Sequence, residues 1–250
     1  MKNVFILGLG EIGNSIKRLY NGSKYVVKGY DIKEDIKPKF TGNIEVMHVC
    51  IPFNEEFYES VKIFALFYRP ELIIINSTVP LLTTELLSKN ISSHVVHSPV
   101  MGKHPNLTES MLTFKKIVAG YTEEAVELAV NHFKNISVDT VVYKSPEESE
   151  MAKLLSTTYY GTCIRYMQEV HRLCKEWGIS FEDVYTKTNE IYNEGYTKFG
   201  DKQFVRPVLK YNGNGIGGHC IGNNAKLLKE SKMLEKFADL ILEEGHPDAN

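Results

Sequence analysis

The chain has 250 residues, a formal net charge of −2, 43% hydrophobic residues and 24% charged residues, which together predict a folded protein with one large domain or two small ones. The near-neutral charge favours neither nucleic acid nor anionic membranes as partners, and no apolar run is long enough to span a bilayer. The four cysteines show no CxxC spacing, so we expect neither a disulfide framework nor a metal site, and a reducing cytoplasm as the location.

The first 143 residues alternate short apolar runs with helical patterns. One helix candidate is Glu123–Phe133, which has Val126, Ala129, Val130 and Phe133 on one face. Strands that alternate with helices predict a Rossmann-type, doubly wound and mostly parallel sheet in an α/β domain. The predicted strands are Val4–Leu7, Tyr25–Tyr30, Glu45–Ile51, Glu71–Asn76, His94–His97, Lys115–Gly120 and Asp139–Tyr143.

A long helix is predicted after the last strand. Ser145 is its expected N-cap, followed by Pro146 and by Glu148 at the third helical position. An apolar stripe then continues from Met151 to Trp177, and the helix ends at Gly178. About thirty residues give roughly 45 Å, which is longer than a small domain, so we expect part of the stripe to contact a second subunit in a homodimer.

Further helices are expected beyond the long one. One begins near Ser180–Asp183 and ends at Gly195, and a last one runs from about Asn224 to Glu243. The predicted domains are therefore a Rossmann-type α/β domain, residues 1–145, and an all-helical dimerisation and substrate domain, residues 146–250.

The first strand leads into a GxGxxG motif, Gly8-Leu9-Gly10-Glu11-Ile12-Gly13. Such glycines let the backbone approach a pyrophosphate at a helix N-terminus. Asp31 ends the next strand, where a carboxylate binds the adenosine ribose hydroxyls and repels a 2′-phosphate. NAD is the expected cofactor, and the expected contacts are Gly8, Gly10, Glu11, Ile12, Gly13 and Asp31.

A glycine-rich segment, Tyr211–Cys220 with the sequence YNGNGIGGHC, brings a thiol next to flexible backbone. It ends in Gly217-Gly218-His219-Cys220, which resembles the GGHC or GGSC motif of the UDP-glucose/GDP-mannose dehydrogenases. Three further stretches resemble motifs of the same family in order and spacing: Asn76–Pro80 with Thr83–Glu85, Ser98-Pro99 with Lys116–Gly120, and Glu150–Lys153 as its ExxK motif.

The resemblance implies an oxidoreductase that converts a primary alcohol of a sugar or nucleotide sugar to an acid. Cys220 would form a thiohemiacetal and then a thioester, and Lys153 would stabilise the alkoxide or transfer protons. It also implies catalytic roles for Thr78, Thr157 and Asn224, and cofactor contacts at Pro52, Ser77 and Thr78. The implied substrate contacts are Lys153, Tyr211, Asn212, Gly213 and Gly217.

The chain departs from the family pattern at several positions. Thr157 and Asn224 stand where the family has Asn and Asp, Val100 replaces the glutamate of its SPE motif, and Lys103-His104 occupies a further acidic position. The resemblance also implies either a compact form without the family's C-terminal nucleotide-binding domain, acting on a smaller sugar or alcohol, or a partner that supplies the surface of that domain.

Two alternative functions remain open from the sequence. The first is a two-electron alcohol or β-hydroxyacid dehydrogenase, in which Lys153 acts and Cys220 does not. The second is a non-catalytic NAD-binding protein, which the altered acidic positions would suit. The number of NADH molecules formed per product separates oxidation to the acid from the first alternative, and the absence of any turnover indicates the second alternative.

Overall fold

The computed structural model describes residues 2–32, 38–102, 105–213, 215–216 and 219–243. Two compact units divide the chain, Met1–Lys153 and Leu154–Asn250. The border falls eight residues after the end of the predicted Rossmann domain, inside the long helix. Among the helices of the described ranges, none combines the length and the apolar character needed to cross a membrane.

The first unit contains one sheet of seven strands in the order β2-β1-β3-β4-β5-β6-β7. All pairs are parallel except β5 with β6, which is antiparallel. The predicted mostly parallel sheet is confirmed. The strands are β1 Lys2–Leu7, β2 Tyr25–Tyr30, β3 Ile44–Val49, β4 Leu72–Ile75, β5 His94–His97, β6 Lys116–Gly120 and β7 Thr140–Val142.

Helices cover both faces of this sheet. Along β1, Val4 and Ile6 lie in one buried cluster and Phe5 and Leu7 in another, because successive strand residues point to opposite faces. This alternation explains the nearly continuous apolar run, which is typical of a strand buried on both sides. The helices of this part are α1 Glu11–Leu19, α2 Phe57–Tyr68, α3 Thr83–Asn90, α4 Leu107–Thr113 and α5 Glu123–Lys134.

The long helix, α6, comprises 32 residues, Pro146–Trp177. Its predicted N-cap is confirmed, because the Glu148 backbone N–H donates to Ser145 Oγ at 3.4 Å. Glu148 Oε2 in turn accepts from the Lys144 N–H at 2.9 Å, so the two side chains satisfy amide groups that the first helical turn leaves without carbonyl partners.

The second unit is helical, but two predicted boundaries in it are wrong. A π-helical segment, Glu182–Lys187, continues into α7, Thr188–Phe199, which passes through Gly195 and ends at Gly200 with φ +81°. The predicted last helix is two helices, α8 His219–Glu230 and α9 Glu235–Leu242. Lys232 and Leu234 separate them, since both have positive φ, which no α-helix continues through.

Candidate active site

The turn between β1 and α1 has the geometry that a glycine motif requires. Gly8 has φ +96°, and a Cβ on Gly13 would lie 1.9 Å from the Gly8 carbonyl oxygen. A Cβ on Gly10 would meet nothing within 4 Å, so the backbone there is open to a ligand. Glu11 begins α1, whose N-terminal amide groups attract anions. These residues fit the pyrophosphate of a dinucleotide.

Asp31 lies against this turn, directly after β2. Its Oδ2 accepts a hydrogen bond from the Leu9 backbone N–H at 3.0 Å. The carboxylate therefore lies next to the glycine motif, as the sequence predicts for a ribose-binding residue.

Ser77 is buried at the end of β4, and its hydroxyl donates to the Ile51 carbonyl at 2.5 Å. This hydrogen bond joins the end of β4 to the segment after β3. Pro52, in that segment, is exposed, and Thr78, next to Ser77, is half-buried. The two loops that carry these three predicted cofactor contacts are therefore joined through Ser77.

Glu150, in the first turns of α6, holds the loop that follows Thr78. The fully buried carboxylate accepts hydrogen bonds from the Leu82 N–H at 2.8 Å, the Thr84 N–H at 2.9 Å and the Thr84 hydroxyl at 2.7 Å. It caps α3, whose own N-cap residue makes no side-chain bond. Burial raises the pKa of Glu150 to about 7. The sequence placed Glu150 in a motif but did not indicate this structural role.

Two lysines bind three consecutive carbonyl groups after β5. Lys116 Nζ donates to the Ser98 and Pro99 carbonyls at 2.7 and 3.0 Å, and Lys153 Nζ donates to the Val100 carbonyl at 2.9 Å. The valine that replaces a family glutamate therefore contacts Lys153 through its backbone. The buried Lys116 is a residue that sequence reasoning missed, because its strand reads as apolar.

In the second unit, the structure brings two predicted site residues together. Asn224 Nδ2 lies 3.1 Å from Thr157 Oγ1, and the Asn224 side chain is buried. Cys220 is exposed in the first turn of α8, one helical turn before Asn224. This exposed position leaves the Cys220 sulfur accessible to a reactant.

The glycine-rich segment before Cys220 contacts α6. The Tyr211 ring stacks on the His171 ring, with centroids 3.5 Å apart, and the Gln168 amide donates to the Gly213 carbonyl. Asn212 is exposed. Gly217, Gly218, Lys103 and His104 lie outside the described residues. Sequence reasoning missed Gln168, since an isolated glutamine in an amphipathic helix carries no distinctive signal.

A polar cluster in the core of the first unit was also missed. The Tyr20 hydroxyl lies 2.6 Å from His48 Nε2 and 2.7 Å from His132 Nε2, and His48 Nδ1 lies 2.8 Å from Asn76 Oδ1. Burial lowers the pKa of His48 to about 4 and that of His132 to about 3, so both rings are neutral at physiological pH. We interpret this cluster as core structure.

Comparison with known proteins identifies relatives of both units. Residues 147–244 match the central domain of the UDP-glucose/GDP-mannose dehydrogenase family. A UDP-N-acetyl-D-mannosamine dehydrogenase of Methanococcus maripaludis is 27% identical over 177 residues, which are 65% of this chain and 38% of the relative. The chain thus spans well under half the length of that relative.

Solved structures share the fold. A UDP-D-ManNAc dehydrogenase from Pyrococcus horikoshii matches with a TM-score of 0.77 and 20% identity, over 96% of this chain and 67% of that one. The 3-hydroxyisobutyrate dehydrogenase of Mycobacterium tuberculosis matches with a TM-score of 0.68 and 15% identity, over 97% and 91% of the two chains. These findings confirm the Rossmann-type fold and the resemblance to nucleotide-sugar dehydrogenases.

Proposed function

On the premise that residues 147–244 carry the central domain of the UDP-glucose/GDP-mannose dehydrogenase family, we propose that this protein is an NAD-dependent oxidoreductase. Its substrate is a nucleotide sugar, whose primary alcohol it oxidises to the acid. The observation that carries the proposal is the arrangement in the second unit: Cys220 at the start of α8, and Asn224 one turn later, hydrogen-bonded to Thr157.

The dinucleotide, when bound, supplies the hydride acceptor in each of two oxidations. The rest of the chemistry belongs to the chain. The primary alcohol loses a proton and a hydride to become an aldehyde. The Cys220 thiolate adds to the aldehyde carbon and forms a thiohemiacetal, which loses a second proton and hydride to become a thioester. Water then cleaves the C–S bond, which releases the acid and regenerates the thiol.

Lys153 has the role of a cation for the developing alkoxide. Its contact with the Val100 carbonyl fixes the position of the ammonium group without neutralising its charge. Thr157 and Asn224 supply polar groups where the family has Asn and Asp. A hydroxyl and an amide can orient water but are poor bases, so we expect slow thioester hydrolysis.

Substitution of Cys220 tests the mechanism. Cys220→Ala should abolish acid formation, and Cys220→Ser should allow at most the first hydride transfer, since its hydroxyl is a much weaker nucleophile than a thiolate. Cys163→Ser, which changes a half-buried cysteine of α6, is the matched control and should keep activity. The measurements are NADH formed per acid, expected to be two for the unmodified protein, and mass spectrometry of the Cys220 peptide after mixing with NAD and a UDP-sugar.

A second candidate function has support from the match to 3-hydroxyisobutyrate dehydrogenase over most of both chains. In that case one NADH forms per turnover of a β-hydroxyacid, Lys153→Ala abolishes turnover, and Cys220→Ala leaves it unchanged. Assays with UDP-N-acetylmannosamine, UDP-glucose and 3-hydroxyisobutyrate distinguish the two candidates. Binding of NAD without turnover of any of them would contradict both and indicate the non-catalytic alternative.

A further inference from the structure

Gln168, on α6, is a buried polar side chain in contact with the segment that leads to Cys220. The side chain is only 7% exposed. Its Nε2 donates to the Gly213 carbonyl at 3.0 Å and to the Gly215 carbonyl at 3.1 Å. A glutamine amide has two N–H donors, so both are used on the backbone of the glycine-rich segment.

Arg165 orients this amide. Its Nη1 donates to Gln168 Oε1 at 3.1 Å, so the nitrogen of the amide must face the two glycine carbonyls. The same guanidinium donates to the Leu240 carbonyl at 3.2 Å and the Ile241 carbonyl at 3.0 Å, at the end of α9. A cation is favourable at a helix C-terminus, so the end of α9 holds the Arg165 guanidinium in place independently of Gln168.

The segment before Cys220 needs such support. Residues 205–213 form neither helix nor strand, and Gly213 has φ +92°. Backbone without a regular hydrogen-bond pattern, and with the wide conformational freedom of glycine, is ordered by contacts from elsewhere. Gln168 provides two of them, and His171, one turn later on α6, provides a third by stacking on Tyr211.

We propose that Gln168 is a positioning residue for the reaction proposed above, on which this inference rests. By holding the Gly213 and Gly215 carbonyls, its amide fixes the chain a few residues before α8 and thereby the placement of the Cys220 thiol. Gln168 itself takes no part in bond making.

The decisive variant is Gln168→Glu, which has nearly the same shape. A carboxylate still accepts from Arg165 through one oxygen but donates nothing, so its other oxygen replaces the amide nitrogen that donates to the two glycine carbonyls. The matched control is Glu169→Gln, at the next residue, where an exposed carboxylate pairs with Arg172. A second variant, Arg165→Lys, keeps the Gln168 amide but removes the fork that orients it.

Two readouts need no substrate. In Gln168→Glu, backbone hydrogen exchange over residues 211–216 should accelerate, and the rate of alkylation of Cys220 by iodoacetamide should depart from the unmodified rate. A displaced Cys220 thiol should also lower kcat for acid formation at least roughly tenfold and change KM for the nucleotide sugar less. NAD affinity should stay unchanged, and Arg165→Lys should give smaller changes in the same direction. Glu169→Gln should match the unmodified protein in every measurement.

The outcomes separate this inference from the proposed function. Unchanged exchange and alkylation in folded Gln168→Glu and Arg165→Lys overturn the inference, whatever the activity. If the unmodified protein oxidises no nucleotide sugar while exchange and alkylation respond as expected, the proposed function fails and the placement of the Cys220 thiol by Gln168 stands.

Discussion

Lys116 is a buried lysine whose hydrogen bonds hold the loop after β5, while burial disfavours its positive charge. Its Nζ lies 5.6 Å from the centre of the Phe133 ring and donates to the Ser98 and Pro99 carbonyls. Burial lowers the pKa of Lys116 to about 7, because carbonyl oxygens and a ring replace the water that would solvate an ammonium ion. Its Nζ donates to the Pro99 carbonyl and shares the Ser98 carbonyl with the Asn76 side-chain amide.

This environment predicts a dependence of stability on pH. Between about pH 7 and pH 10 the unfolded chain binds a proton at Lys116 that the folded chain does not, so stability rises with pH, by at most about 1.4 kcal/mol per unit from this group. Lys116→Met should remove this contribution. Urea unfolding of both proteins across this pH range measures the contribution. If the free energy of unfolding changes with pH equally in both proteins, folded Lys116 stays protonated. If the variant does not fold, NMR titration of the lysine side chains in the unmodified protein answers the same question.

In the first unit, the predicted cofactor-binding residues lie at the carboxyl ends of the parallel strands. The β1–α1 turn, the end of β2 at Asp31 and the end of β4 at Ser77 all lie at this edge, since parallel strands share one direction. The start of α6 holds two of the loops there, through Glu150 to Thr84 and Lys153 to Val100. A long helix thus organises loops far from it in sequence.

The contact between β2 and the glycine turn predicts the cofactor preference. The Asp31 carboxylate should repel a 2′-phosphate, so NAD should bind more tightly than NADP. Asp31→Asn is the sharper variant, because an amide oxygen can still accept from the Leu9 N–H while the charge is lost. It should narrow the gap between the two affinities, measured by fluorescence titration. Equal affinities in the unmodified protein would contradict the assignment of Asp31 to the ribose.

At the scale of the whole molecule, the apolar stripe of α6 is covered only in part. Leu154, Met167 and Cys174 are buried, whereas Tyr159, Tyr166 and Trp177 are 63%, 64% and 75% exposed. Large aromatic side chains in one stripe are typical of a surface that another chain covers. The homodimer on this helix stays a prediction.

Light scattering at micromolar concentration tests the predicted homodimer, and we expect twice the chain mass of 28.5 kDa. Tyr166→Asp should shift the protein towards monomer, because a carboxylate would be buried in the interface. Leu66→Asp, which changes a 75% exposed residue of α2 in the first unit, is the control and should leave the mass unchanged. A stable monomer in the unmodified protein would contradict the predicted homodimer.

Features that depend on neighbouring residues could be predicted from the amino-acid sequence. The seven strands, the cap at Ser145 and the turn from Gly8 to Gly13 follow from local periodicity and backbone conformation, and the structure has all of them. The predicted helix end at Gly195 and the predicted single last helix, from about Asn224 to Glu243, are wrong. A glycine can stay helical at a modest cost when the surrounding turns hold it. The positive φ of Leu234, which divides the last helix, carries no sequence signal.

The contacts between residues far apart in the chain could not be predicted from the sequence. The antiparallel pairing of β6 with β5 is one example. The hydrogen bonds between Glu150 and Thr84, between Asn224 and Thr157 and between Gln168 and Gly213 join residues 45 to 67 positions apart in the chain. Such contacts depend on how helices and strands pack against one another. A polar residue within an apolar sequence pattern gives no indication of which distant residue will be its hydrogen-bond partner. Packing therefore determined how the candidate site is held in place.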